Sequence, residues 1–241
     1  WPRDGAYVLW PLIRMGYYEE AYQFFDFCRR GLNSGGFLMH KYRADGAVGS
    51  SWHPYIHDDG SVTPPIQEDE TALVLFLFGQ LYRSANDQRL MKRFYEPMVV
   101  PMADFLASYI DSSTGLPKPS YDLWEEQYMT TTYTTAVVYA ALSAAADLAD
   151  DNHDDGHAVA WRSAALDIAE AAQKYLVNHD RDALYKGLRR HADGSYEPDQ
   201  TIDLSSIYGA FMFGLFSADS GIVERAVQTA RRVFNVSPDR P

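Results

Sequence analysis

The chain has 241 residues, of which 46 % are apolar and 14 % aromatic, so one large domain over 1–241 can bury a sizeable core. Its formal net charge of −12 argues against nucleic acid or an anionic membrane as a partner, because few basic side chains could pair with phosphates. The single cysteine, Cys28, excludes an internal disulfide. No apolar run reaches the roughly 20 residues that span a bilayer. An uncharged partner fits best.

Two kinds of helical segment alternate along the chain. Segments of the first kind are apolar on every side and should be surrounded by other protein; they cover 6–15, 72–82, 133–149 and 207–216. Segments of the second kind carry one apolar stripe with a spacing of three or four residues; they cover 21–32, 91–109, 161–175 and 222–234. This alternation predicts an all-α fold in which a ring of inner helices is wrapped by an outer ring.

Three details interrupt the helical pattern. Residues 37–52, with Asp45 and Gly46 in the middle, predict a β-hairpin. Pro11 lies inside the first apolar segment, and Pro97 and Pro101 lie inside an amphipathic one. Each of these prolines should kink or interrupt its helix.

Polar residues collect in the connections that lead into the apolar helices. The buried helices are expected to begin near residues 5, 69, 127 and 203, and the polar stretches before them are 1–4, 67–70, 122–126 and 203–206. If the inner helices run parallel in a ring, these stretches meet at one end and form a carboxylate-rich cup lined with aromatic side chains. The opposite ends are expected to be ordinary solvated turns.

Glu125 and Glu126 are the candidates for acid–base chemistry. A simple explanation is that acidic residues in the first turn of a helix favour its positive end, by about 0.3 to 1 kcal/mol each. The neighbouring Trp124 favours a second explanation, because a carboxyl packed against an indole in a dry pocket keeps its proton to higher pH, as a general acid requires. Arg3 and Asp4 offer a paired donor and acceptor for sugar hydroxyls.

Three stretches resemble the family 15 glycoside hydrolases, which are the glucoamylases and their glucodextranase and trehalase relatives: WPRDGAY at 1–7, QEDETALVL at 67–75 and YDLWEE at 121–126. GSSWHP at 49–54 and TIDLSS at 201–206 resemble the bacterial and archaeal branch. The resemblance implies an (α/α)6 barrel, of which this chain holds about four of the six helix pairs. It is therefore expected to be an incomplete catalytic domain.

The resemblance also implies an activity, the exo-acting, inverting release of glucose from the non-reducing ends of α-glucans. Glu125 matches the general acid, and Arg3 with Asp4 matches the pair that holds the terminal glucose. The other implied substrate-binding residues are Trp1, Trp52, Asp69, Asp122, Trp124 and Glu126, with Trp52 as a substitute platform. Nothing in 1–241 matches the general base, so the segment alone is expected to be inactive.

Several alternatives remain open. One is a carbohydrate-binding or degenerate barrel without catalysis, and another is a trehalase or glucodextranase specificity within the same family. The acidic run at 150–155 resembles the magnesium motifs of cyclases, but a charged turn is the preferred interpretation. The cluster of His53, His57, Asp58 and Asp59 is interpreted as a solvated loop, since its spacing matches no tight metal site. No metal or cofactor is predicted, a cytoplasmic location is favoured, and the oligomeric state is left open.

Overall fold

A computed structural model describes residues 1–51, 56, 60, 62 and 65–235. The chain is 58 % helical, which confirms the all-α prediction. It divides into two compact units: the first comprises Trp1–Tyr109 and Ala141–Ala165, and the second comprises Ile110–Ala140 and Leu166–Pro241. The single domain over 1–241 stays a prediction. None of the described helices is both long and apolar enough to cross a membrane.

The first unit is helical and is built around α3. Its elements are α1 (Pro2–Arg14), α2 (Tyr18–Gly31), α3 (Glu68–Ala85), α4 (Gln88–Phe94) and α5 (Val100–Ser108), with parts of α6 (Thr132–Asp151) and α7 (Asp155–Tyr175). Helices α1, α2 and α5 all pack on α3. Every residue of α3 from Glu68 to Gly79 is buried, as expected of a helix that is apolar on all sides. A Cβ added at Gly79 would lie 3.1 Å from the Cβ of Ala144, so α6 also packs closely on this helix.

The prolines behave in different ways. Pro97 lies in a π-helical turn (Tyr95–Val99) that separates α4 from α5, which confirms an interruption there. Pro101 lies in the first turn of α5, where the missing N–H would have no partner within the helix. The interruption predicted at Pro11 is wrong, because α1 continues from Pro2 to Arg14. Proline has no N–H to donate to the carbonyl four residues earlier in the helix. Pro11 is exposed, so water can donate to that carbonyl instead.

The hairpin predicted at 37–52 is confirmed over its described part. Tyr42 and Val48 form an antiparallel bridge, and the Arg43 N–H donates to the Ala47 carbonyl at 2.8 Å. Gly46 adopts φ +87°, a left-handed conformation that glycine adopts without steric strain. Trp52 lies outside the described residues.

The second unit combines helices with short strands. Its helices are α8 (Leu204–Met212) and α9 (Ile222–Val233), besides the remaining parts of α6 and α7. Strands β1 (Ser120–Tyr121), β2 (Tyr128–Thr131), β5 (Gly187–Arg190) and β6 (Tyr196–Asp199) form an antiparallel sheet in the order β1-β2-β5-β6. Strands β3 (Val177–Asn178) and β4 (Ala183–Leu184) pair separately. The sequence did not predict this sheet, since strands of two to four residues are too short to display an alternating pattern.

Two helices expected to be enclosed have an exposed apolar side. Val8 in α1 is 65 % exposed, and Phe211 in α8 is 69 % exposed. The prediction that 6–15 and 207–216 are surrounded by protein is therefore wrong for the described residues, although α3 and α6 meet it. The reason is that no element of the described chain packs on this side of either helix.

A polar cluster joins α7 to the π-helical turn and to α5. His157 Nδ1 lies 2.6 Å from Asp154 Oδ2, and the Tyr95 hydroxyl donates to the same oxygen at 3.0 Å. The imidazole stacks on Trp161, whose indole N–H donates to Asp104 at 2.9 Å. The Tyr95–Asp154 and Trp161–Asp104 hydrogen bonds thus link the start of α7 to the π-helical turn and to α5.

We predict that His157→Gln lowers the free energy of unfolding more at about pH 5.5 than at about pH 8.5. The hydrogen bond to Asp154 raises the pKa of His157 above its ordinary value. The imidazolium therefore stabilises the fold below the unfolded-state pKa of about 6.5, and this contribution is lost as the pH rises through the raised value. Urea denaturation of both proteins at both pH values measures the effect. His179→Gln, at an exposed position, is the control, and an equal loss at the two pH values for His157→Gln would contradict the prediction.

Candidate active site

Glu125 lies in the turn of the β1–β2 hairpin, in the second unit. The helix expected near residue 127 begins only at Thr132, so Glu125 and Glu126 are not in the first turn of a helix. The explanation of these two residues by the helix dipole is therefore wrong. Glu125 adopts φ +58°, which is left-handed and costs a non-glycine residue about 1 kcal/mol. Strained residues of this kind cluster at functional sites.

The side chain of Asp122 holds this turn together. Its Oδ1 accepts the backbone N–H groups of Glu126 at 2.7 Å and Gln127 at 3.0 Å. Its backbone closes the turn as well, because the Asp122 carbonyl accepts the Glu125 N–H at 2.8 Å. Asp122 is buried, and its carboxylate contacts the Glu126 and Gln127 backbone and the Lys186 side chain. Among the substrate-binding candidates, it is therefore the one whose geometry supports the turn.

A buried lysine completes the cluster. Lys186 is 5 % exposed, and its Nζ lies 2.7 Å from Asp122 Oδ2 and 3.8 Å from Asp203 Oδ2. Asp203 Oδ2 also accepts the indole N–H of Trp124 at 3.1 Å. Its other oxygen accepts the Ser205 N–H at 2.8 Å and caps α8.

Trp124 and Glu125 both reach solvent. Trp124 is 53 % exposed, and Glu125 is half-buried, so the indole does not shield the carboxyl from water as the dry-pocket argument expected. The exposed indole is instead an accessible flat surface with its N–H anchored. A sugar ring can stack on such a surface.

Arg189, on β5, contacts the same turn. Its Nη2 donates to Gln127 Oε1 at 2.8 Å and lies 3.6 Å from Asp199 Oδ2. Arg189 thus supports the hairpin from the neighbouring strand while remaining partly exposed.

The first unit contains a second polar cluster, around Arg3. The Arg3 Nη1 donates to Gln67 Oε1 at 2.5 Å and to Asp69 Oδ2 at 2.8 Å. Its Nη2 lies 3.7 Å from Glu70 Oε1. The WPRD and QEDE stretches, which are more than 60 residues apart, therefore meet within this unit, as the predicted cup requires of them.

Burial raises the pKa of Glu70 well above the ordinary value for a glutamate, and the Asp69 carboxylate raises it further, while Arg3 opposes both. The neutral acid is therefore favoured. His40 is also buried, with its Nδ1 3.3 Å from Glu70 Oε1 and 3.3 Å from Gln67 Nε2. Glu70 is thus placed beside an ionisable ring nitrogen.

The burial of three acidic side chains at the start of α3 is too unfavourable to be explained by the helix dipole alone. Glu68, Asp69 and Glu70 are all buried, and removing a carboxylate from water costs several kcal/mol. The helix dipole offsets only about 0.3 to 1 kcal/mol for each. Moreover, the buried Asp69 Oδ1 has no hydrogen-bond partner among the described residues. Such a group is a candidate for binding a ligand.

The remaining candidates are arranged as follows. Asp4, next to Arg3, is exposed. Trp1 is 52 % exposed, meets His40 edge to face and lies 5.1 Å from Lys41 Nζ. Glu126 is exposed in the hairpin turn. Trp52 lies outside the described residues, so its role as a platform stays a prediction.

No group of three or more His, Cys, Asp or Glu side chains within the described ranges could hold a metal ion. The acidic run at 150–155 comprises the end of α6, a short turn and the first residue of α7. Asp150 pairs with Arg162 at 2.7 Å and Asp154 with His157 at 2.6 Å, which agrees with the predicted charged turn. His53, His57, Asp58 and Asp59 lie outside the described residues.

Sequence reasoning missed the residues that organise both clusters. Lys186 gave no signal, because it lies in a short apolar stretch 64 residues from Asp122. Asp203 was noted only as part of a polar connection, and His40 was not noted. A pattern in the local sequence could not have found these contacts, since each one joins distant segments.

The chain matches the family described as "Glycosyl hydrolases family 15" over residues 1–233, and it belongs to that family. An uncharacterized glycosyl hydrolase of Methanocaldococcus jannaschii is 23 % identical over 233 residues, which are 97 % of this chain. This chain spans 33 % of that relative's length. The resemblance seen at 1–7, 67–75 and 121–126 is thereby confirmed.

Solved structures show the same fold at low identity. A glycosidase variant in complex with glucose has a TM-score of 0.74 at 18 % identity, covering 96 % of this chain and 60 % of its own. A bacterial glucoamylase complexed with acarbose has a TM-score of 0.71 at 18 % identity, covering 96 % of this chain and 33 % of its own. A cellobiose 2-epimerase from Bacillus thermoamylovorans has a TM-score of 0.63 at 15 % identity, covering 98 % of this chain and 60 % of its own. The fold is therefore that of the glucoamylase-like (α/α)6 barrels.

We predict that Arg3→Met lowers the free energy of unfolding by about 3 to 5 kcal/mol, because it leaves the buried Asp69 without its charge partner. Adding Asp69→Asn should recover part of this loss, since the uncompensated charge is then removed. Urea denaturation of the two variants measures both effects. Arg43→Met is the control, at an exposed pair with Asp45 that should contribute at most about 1 kcal/mol. A loss at Arg3 no larger than at Arg43 would show that the buried pair is not structural.

Proposed function

We propose that this chain is part of an exo-acting, inverting α-glucosidase that releases glucose from the non-reducing ends of α-glucans. Glu125 is the general acid that protonates the glycosidic oxygen. Arg3 and Asp4 hold the terminal glucose, Trp1 and Trp124 are aromatic walls, and Glu126 binds the sugar on the leaving side. Asp69 is a further binding group.

The observation that carries this proposal is the turn containing Glu125. Glu125 has a left-handed backbone, and in the chain it lies between Trp124, whose exposed indole is anchored to Asp203, and the exposed Glu126. A proton donor needs a fixed position beside the leaving oxygen, and a strained, internally bonded turn supplies one. Family membership adds the class of reaction, because glycoside hydrolysis commonly uses paired carboxyl groups.

The second carboxyl group of the reaction, the general base, is proposed to lie outside 1–241. In the inverting mechanism this base activates water on the opposite face of the sugar, with the two carboxyls about 6.5 to 9.5 Å apart. Because this chain spans a third of the length of its curated relative, activity is proposed for the full-length protein. We expect the 241-residue segment alone to hydrolyse little or no substrate.

We predict that Glu125→Gln in the full-length protein lowers kcat on maltose at least about 100-fold, since general-acid catalysis contributes roughly 10² to 10⁴. Binding of acarbose, measured by titration calorimetry, should stay within about tenfold of wild type, because the amide keeps the size and polarity of the side chain. Glu170→Gln is the matched control, at an exposed position of α7.

Two results would count against the assignment. Full activity of Glu125→Gln on maltose would exclude this residue as the acid. Acarbose binding by a wild-type protein that releases no glucose from maltose, isomaltose or trehalose would favour the carbohydrate-binding alternative.

We further predict that the glucose released first from methyl α-maltoside, whose leaving sugar has a fixed anomeric configuration, is the β-anomer. Direct displacement by water inverts the configuration at the anomeric carbon, whereas a covalent intermediate would retain it. Proton NMR within the first minutes, before mutarotation, distinguishes the anomers. Initial release of α-glucose would contradict the inverting mechanism. Relative rates on maltose, isomaltose and trehalose would identify the bond specificity.

A further inference from the structure

We propose that Lys186 is a positioning residue for Glu125 and acts through Asp122 and Asp203. This inference rests on the proposed function, because it assigns a role in holding the proton donor. Lys186 is not proposed to touch substrate, since its ammonium group faces two carboxylates of the protein. Its contribution is to fix both chain neighbours of Glu125.

The backbone of Lys186 is itself firmly held. Its N–H donates to the Asp199 carbonyl at 2.9 Å, and its carbonyl accepts the Thr132 N–H at 3.0 Å. The residue therefore sits between β6 on one side and the start of α6 on the other. From this fixed position the side chain reaches the hairpin turn with little freedom to move.

The Asp122 and Asp203 carboxylates need the positive charge of Lys186, because both are shielded from water. Asp122 and Asp203 are both largely shielded from water, with side chains 2 % and 7 % exposed. A buried carboxylate without a charge partner destabilises its surroundings strongly. Lys186 is the cation within 4 Å of both carboxylates in the described structure, so its removal would leave two shielded carboxylates without this charge partner.

Each aspartate links Lys186 to one chain neighbour of Glu125 through a hydrogen bond. Asp203 accepts the indole N–H of Trp124, which precedes Glu125. Asp122 accepts the backbone N–H of Glu126, which follows it. The candidate donor is thus held from both sides by groups that share one ammonium.

The left-handed backbone of Glu125 explains why the contacts of Asp122 and Asp203 should affect the catalytic rate. A left-handed backbone at a glutamate is unfavourable by itself, and it persists only where the surroundings enforce it. When the turn loosens, the carboxyl leaves its position, and a displacement of about 1 Å can reduce a catalytic rate roughly 100-fold. We therefore expect a loss in kcat, with little change in KM.

The test compares four variants of the full-length protein. Lys186→Met keeps the length and removes the charge, and Lys186→Arg keeps the charge. Asp203→Asn retains a side-chain oxygen to cap α8 but weakens the acceptor for Trp124 and Lys186, which keeps the test usable if Lys186→Met does not fold. Lys92→Met, at an exposed position of α4, is the matched control.

Two measurements are made on each variant: kcat and KM on maltose, and amide hydrogen exchange in 122–127. We expect Lys186→Met to lower kcat by about 10- to 100-fold with KM within about threefold, and to accelerate exchange in the turn at least about tenfold. Asp203→Asn should show a smaller loss of the same kind. Lys186→Arg should recover most of kcat, and Lys92→Met should match wild type.

The proposal is overturned if folded Lys186→Met, or Asp203→Asn in its place, keeps kcat within about twofold of wild type. It is also overturned if kcat falls while exchange in the turn is unchanged. Glu125→Gln, assayed in parallel, separates the two hypotheses. If Glu125→Gln is fully active, the proposed function fails, whereas an inactive Glu125→Gln beside a fully active Lys186→Met means that only the role of Lys186 fails.

Discussion

The buried ion pair between Lys186 and Asp122 is the interaction on which the candidate site of the second unit depends. The chain has 33 acidic and 21 basic residues, so basic side chains are the scarcer kind. A carboxylate that is paired with a buried basic side chain therefore stands out among the acidic residues. Arg3 plays the same part in the first unit, beside Asp69 and Glu70. In each unit, one cation permits several carboxyl groups to be buried close together. Without the cation, desolvation would exceed what a helix dipole could offset.

The sequence predicted those features whose cause is local. The buried helices α3 and α6 follow from continuous apolar composition, and the turn near Gly46 follows from a residue that tolerates positive φ. The hairpin around Glu125 could not be predicted in this way, because β1 and β2 are too short to show a period. The contact of Lys186 with Asp122 was also out of reach, since its two partners are separated by a long stretch of chain. A family motif made Glu125 a candidate acid, and the structure adds the contacts that hold its turn.

The apolar composition of a helix indicates that it should be covered by protein, but it does not identify which element covers it. In α8, Leu204, Tyr208 and Phe211 recur at helical spacing and are all exposed, whereas the equally apolar α3 is enclosed. Both segments were predicted to be surrounded by protein, because an apolar pattern shows only how unfavourable it would be to expose the helix to water. Enclosure depends on neighbours, which periodicity cannot reveal. The same distinction applies to Glu68, Asp69 and Glu70, which the sequence places before a buried helix and which only the structure shows to be buried themselves.

The fold by itself does not select a reaction, since its structural relatives include an epimerase as well as glycosidases. Epimerisation and hydrolysis of a sugar place different demands on the protein. Hydrolysis with inversion needs a proton donor fixed beside the glycosidic oxygen and a separate base for water. A carboxyl on a loose surface turn would not meet the first demand, because the donor must lie within hydrogen-bond reach of its oxygen. Under the proposed function, the strained turn at Glu125, tied through Asp122 to a buried lysine, is the feature that supplies this fixed donor.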